Sequence, residues 1–431
     1  MKFIDIDTHY LPENCYKDLP EPYKSLAPQF NWKTYTEQPE WWNRIYKSET
    51  NRDSAFATEF SQYDWKKPML CDDKGYLDID IFPGGKSRNL VSVKEGLSKG
   101  LAADKIYGGP HRGDLNYSLI EARNLEERKK ELNRLGIDKA IIKPYSYMLG
   151  LNYRIDGDLA KHLSKAYNDA VVNDCKNQDR FYPLIWMPFQ NKNSSIEILK
   201  NIDYYLENGA VGLILGEQFS YAEHTLGKAW GLCDWMEPIW AHANEYQYPI
   251  FFHVLDCFYD FHWDYWKDKN DKKFVDQWHL ENKSLMSLIY NDDWEGPTKG
   301  LKGHLLSFAS LIACGVLDRY PNLRLSWCER GIDWVVPCLK FMSKVLNKDC
   351  MPYLKNWTFT IEPEAPNFEK DANELGYDRL LFSTDFPHMD PGGRNREKDI
   401  PTVLNLNTNE LNKEKIANIN AKKLFNKTSF C

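Results

Sequence analysis

The chain has 431 residues, of which 42% are hydrophobic and 27% charged, a balance that excludes disordered and fibrous classes and allows a large core. A net charge of −7 and a pI near 5.9 argue against a nucleic-acid partner, which calls for clustered Lys and Arg. Ten scattered cysteines without a Cys-x-x-Cys pair read as reduced thiols, and no apolar run reaches membrane-spanning length, so a cytoplasmic protein without a membrane partner is expected.

The first predicted element is "FIDID", a buried strand that runs into "THYLP". Residues 10 to 120 have a different texture: aromatics, prolines and glycines mixed with charge ("PEWWNR", "IFPGGKSRN") and little periodicity. They read as a long insertion after the first strand, packed over the mouth of the fold. From about residue 137, short apolar runs alternate with amphipathic helices. Strands are predicted at "KAIIKP" (139–144), "FYPLIWMP" (181–188), "AVGLIL" (210–215) and "PIFFHV" (249–254). Three more follow at "LRLSWCE" (323–329), "WTFTIE" (357–362) and "RLLFSTD" (379–385). Between them, residues 158–177 carry Leu159, Leu163, Ala166, Tyr167, Ala170 and Val171 at helical spacing. Residues 194–209 open with a capping box, Ser194 to Glu197, and close on Gly209. A second irregular, Trp-rich segment spans 255–300.

Eight apolar strands separated by helices point to a parallel sheet covered on both faces. A (β/α)8 TIM barrel with a long insertion after the first strand is the expectation, as one unit over residues 1–431; on counting alone an open doubly wound sheet fits nearly as well.

Polar residues end these apolar strands. The first ends with Asp7 and His9, which share a face because side chains alternate along a strand. The fifth ends with His253, the sixth with Glu329, the eighth with Asp385. In a parallel barrel these ends converge on one rim. Two imidazoles and two carboxylates suit a zinc-like divalent ion with a position left for water. Taken singly, each has a blander reading: His253 as a core histidine, Asp385 as a turn cap, Glu329 as an ion-pair partner of Arg330.

The segments "DIDTH", "FFHV" and "FSTDFPHMD", joined by "GVLDRYPNLRLSW", resemble the amidohydrolase superfamily, and within it the branch of aminocarboxymuconate-semialdehyde decarboxylase and related aromatic-acid decarboxylases. The resemblance covers roughly residues 120–425 and the first ten. It implies a (β/α)8 barrel with one divalent metal ion, Zn2+ by default and Mn2+ as the alternative, held by Asp7, His9, His253 and Asp385. Asp385 then also relays protons, and the chain is expected to form a homodimer. Two departures stand out. Asp7 replaces the first histidine of the usual His-x-His, and Glu329 stands in "CERGIDW" where well-known members carry a histidine.

Glu329 shifts the expected reaction. Asp7 and Asp385 formally neutralise a divalent ion, so Glu329 leaves the pocket near −1 and repels a carboxylate substrate; like charges about 4 Å apart interact by several kcal/mol at intermediate dielectric. A glutamate is also a competent general base for water. The expected function is therefore hydrolysis of an amide, amidine or lactone in a small-molecule or peptide-like substrate, with Asp385 and Glu329 catalytic. Non-oxidative decarboxylation of an aromatic or unsaturated acid is the alternative, and an inactive barrel acting as a binding protein the third. His304 is a candidate to replace the missing histidine, and His388 to orient the last strand's turn. Arg88, Arg112 and Arg154 are candidate clamps for an anion.

Overall fold

A computed structural model of the chain describes residues 1–12, 15–27, 29–30, 33–35, 69–71, 79–80, 120–144, 157–189, 194–216, 220–222, 225–228, 230–253, 302–329, 331–387 and 396–430. The eight apolar runs form eight strands: β1 (Phe3–His9), β2 (Ile137–Lys143), β3 (Phe181–Trp186), β4 (Gly212–Gly216), β5 (Pro249–His253), β6 (Arg324–Cys328), β7 (Trp357–Thr360) and β8 (Leu380–Leu381). They pair in sequence order and every pairing is parallel. The ends of the sheet also meet. Ile6 N donates to Phe382 O (3.0 Å) and His9 N to Phe386 O (2.6 Å), which brings β1 against the segment that follows β8. This closure decides for the barrel over the open sheet.

The last strand is shorter than the predicted 379–385, because its backbone is shared. Phe382 N donates to Ile416 O (3.1 Å), while the carbonyls of Phe382 and Phe386 serve β1. Residues 382–386 therefore bond to elements on two sides instead of continuing one ladder.

Helices fill the connections: α1 (Leu125–Leu135), α2 (Gly157–Cys175), α3 (Ser195–Glu207), α4 (Glu237–Tyr246), α5 (Lys302–Ala313), α6 (Val335–Leu346) and α7 (Phe368–Leu375). Their ends follow local chemistry. The Asn124 side chain accepts from Glu126 N and Glu127 N to start α1, and Gly136 takes φ 79° to stop it. Ser194 accepts from Glu197 N at α3, as its sequence predicts. Leu163, Tyr167 and Val171 are fully buried on the inner face of α2.

Much of the aromatic content is core. Phe252 and Trp327 stack at 4.3 Å between centroids, and Phe308 of α5 meets Trp327, Trp334 and Trp357 edge-on at 4.4–5.3 Å. These rings fill the layer between β5–β7 and the helices outside them, where each buried aromatic removes on the order of 150–250 Å² from water.

Of the insertion at 10–120, the described residues include two short antiparallel ladders, Gln29–Phe30 with Ile79–Asp80 and Lys33–Tyr35 with Met69–Cys71. Its expected position over the barrel mouth, and the Trp-rich segment 255–300, lie outside the described residues. No helix among the described residues is long and apolar enough to cross a membrane.

Candidate metal centre

At the end of β1 Asp7 and His9 turn to the same face, and parallel register sets His9 beside Lys143 and His253 beside Cys328. The C-terminal strand ends thus share one rim, and Asp7, His9, His253, Glu329 and Asp385 each place a ligand-type atom within 4.8 Å of the others. Asp7, His9, His253 and Asp385 are buried; Glu329 is slightly open.

The His9 ring is held from behind. His9 Nδ1 lies 2.8 Å from Pro144 O, so its Nε2 faces the cluster. His253 Nε2 sits 3.1 Å from His9 Nε2, with the rings nearly perpendicular at 82°. Glu329 Oε1 is 2.8 Å from His253 Nε2, and Asp385 Oδ1 is 3.4 Å from His9 Nε2. Glu329 and Asp385 have φ of 66° and 53°, the left-handed region that non-glycine residues avoid. The surroundings hold both in place. Glu329 N donates to Thr360 Oγ1 (2.8 Å), and Asp385 lies between Thr384, bound to Asp5, and Phe386, bound to β1.

Three buried groups not singled out from sequence complete the setting. Lys143 Nζ contacts Asp7 Oδ1, with both side chains fully buried. Burial, the largest single influence, works against the ammonium, but the adjacent Asp7 carboxylate and Cys328 together raise the lysine pKa above its usual range. Asp5 accepts from Thr384 N (3.0 Å) and Thr384 Oγ1 (2.5 Å); burial pushes its carboxyl up to about 6 despite these bonds. Arg128 donates to His9 O (2.9 Å) and lies 3.3 Å over the Phe386 ring, joining α1 to both sides of the cluster.

The charges test whether a cation fits. Three carboxylates converge on two imidazoles, and Lys143 offsets one of them. Two negative charges are left, which a divalent ion neutralises. Asp7 Oδ2 is buried and meets no hydrogen-bond donor among the described residues. Two imidazole Nε2 atoms facing each other at 3.1 Å suit joint ligation, and the mixed N/O donor set matches Zn2+ or Mn2+.

Lys143 also corrects the electrostatic premise drawn from sequence. With its charge included the loaded site is close to neutral, so Glu329 does not leave it near −1.

Of the remaining candidates, His304 lies in the first turn of α5, with its side chain outside the described residues. His388, Arg330, Arg88, Arg112 and Arg154 lie outside them as well.

The amidohydrolase family profile matches residues 156–427, more than half of the chain and all of its barrel strands from β3 onward. The chain belongs to the amidohydrolase family. No curated protein matches it. Among solved structures this amidohydrolase is similar to an amidohydrolase from Mycobacterium avium subsp. paratuberculosis K-10, with 18% identity, a TM-score of 0.61, and 98% of this chain and 99% of that one covered. It is also similar to a 2,6-dihydroxybenzoate decarboxylase from Rhizobium (18% identity, TM-score 0.55, 79% of this chain and 98% of that one). A third is a mutant 5-carboxyvanillate decarboxylase from Novosphingobium aromaticivorans with bound manganese (17% identity, TM-score 0.54, 99% and 97% covered). At these identities the likeness establishes the amidohydrolase barrel and leaves the reaction to be argued from the site.

Proposed function

We propose that this amidohydrolase is a metal-dependent hydrolase of a small-molecule or peptide-like substrate with an amide, amidine or lactone group, and that Asp7, His9, His253 and Asp385 hold its single divalent ion. The observation that carries the reading is the pair of carboxylates beside the imidazole pair, Glu329 against His253 and Asp385 against His9. A divalent ion held there by Asp7, His9, His253 and Asp385 would make water more acidic and polarise the C=O or C=N bond under attack. Hydrolysis needs one proton taken from water and one delivered to the leaving group. Glu329 is the base, because it is the most open of the five and its backbone is anchored by the bond from its N–H to Thr360 Oγ1. Asp385, aimed inward by its left-handed backbone, relays the proton to the departing atom. His9 and His253 keep the fixed orientation that the Pro144 carbonyl and the barrel register impose.

A second reading is favoured by Lys143. By cancelling one carboxylate, it removes the repulsion that disfavours an acid substrate, and decarboxylases are among the similar structures. Decarboxylation needs one proton delivered to carbon, from Asp385, and no water.

Isotopes separate the two. The metal-loaded protein is incubated with panels of amides, lactones and aromatic acids in H2-18O and, separately, in D2O. Hydrolysis places 18O in the product acid. Release of carbon dioxide with one deuteron on the substrate carbon and no 18O uptake overturns the hydrolase reading in favour of the second.

A further inference from the structure

Neither chemistry gives Lys143 a proton to carry. Lys143 ends β2 at the level of His9, fully buried, and its ammonium touches Asp7 Oδ1 and the Cys328 thiol. A buried ammonium is expensive to desolvate, and an apolar side chain of the same length would fill this barrel position as well. What the lysine adds is a fixed positive charge against Asp7, one of three clustered carboxylates.

We infer that Lys143 is a positioning residue that sets the charge of the metal centre, holding Asp7 in place and offsetting its negative charge. This rests on the reading of the cluster as a metal site and is independent of which reaction the site performs. Acting through Asp7, the lysine weakens the hold of the site on its ion and leaves that ion less neutralised, and so a stronger Lewis acid. The ion and the ammonium compete for the same carboxylate, because each is drawn to Asp7 and repelled by the other.

The prediction is opposite in sign to that of a structural prop. Mn2+ is titrated calorimetrically into chelator-treated full-length protein, comparing the parent with Lys143→Met and Lys143→Gln. Glutamine keeps an amide donor for Asp7 without the charge, and so guards against a methionine variant that fails to fold. Loss of the charge is expected to tighten Mn2+ binding by about tenfold or more in both variants. Unchanged or weaker Mn2+ binding in a variant with the parent's circular dichroism spectrum and melting behaviour overturns the inference. A parent that binds no Mn2+ or Zn2+ overturns the metal reading itself, and the two failures are distinguishable because the second appears before any substitution is made.

Discussion

Glu329 and Asp385 each occupy the left-handed region of backbone space, where a non-glycine residue gives up about 1–3 kcal/mol unless its surroundings enforce it. Glu329 directly follows β6 and Asp385 lies four residues past β8, and both side chains join the cluster at the strand ends. Sequence reasoning reached these residues because an acid terminates an apolar run, but it had no means of seeing the backbone. Lys143 went unnoticed for the opposite reason. A lysine before a proline at a strand end looks solvent-facing, and only the register with β1 shows it buried against Asp7. Glu329→Gln is expected to retain about one equivalent of metal and lower kcat by about 10²-fold or more, as loss of a general base does. Asp385→Asn is expected to lower kcat at least as far and to weaken metal binding as well. Elemental analysis beside steady-state kinetics separates the two roles; full turnover in Glu329→Gln would remove the base from Glu329.

Strands and helices were legible where their signals are local. Ser194 caps α3, Leu163, Tyr167 and Val171 line α2, and β3 and β5 begin at their predicted residues, because periodicity and capping depend only on near neighbours. The far end of β8 was not, since its ladder is cut short by bonds to β1 and to residue 416. Close packing between elements was equally invisible. Gly231 sits in a single turn, Trp230–Leu232, laid against α5, where its N–H donates to Ser310 Oγ (3.1 Å). A Cβ there would run into the Ser310 carbonyl, a backbone atom that cannot step aside. Gly231→Ala is accordingly expected to destabilise the fold by about 1–3 kcal/mol, read as a lower urea midpoint with an unchanged slope. An unshifted midpoint would mean that α5 is free to move outward.

For the molecule as a whole, a metal bound only by the folded state couples the site to stability. Three carboxylates gathered with one ammonium repel one another without an ion, so chelation is expected to lower Tm, and Mn2+ or Zn2+ to restore it. Free metal at a hundred times Kd contributes about 2.7 kcal/mol by mass action. His253→Ala is expected to melt at a temperature that no longer responds to metal. A chelator-independent Tm in the parent, checked by calorimetry, would count against the site. The sequence by itself determined the strand–helix alternation and the polar residues at the strand ends, because hydrophobic period and turn chemistry are written in adjacent positions. Only the tertiary structure decided that the sheet closes and that Lys143 balances Asp7. Both depend on bringing β1, β2, β5, the end of β6 and the segment after β8 to one rim, and charge balance there is a sum over residues far apart in the chain.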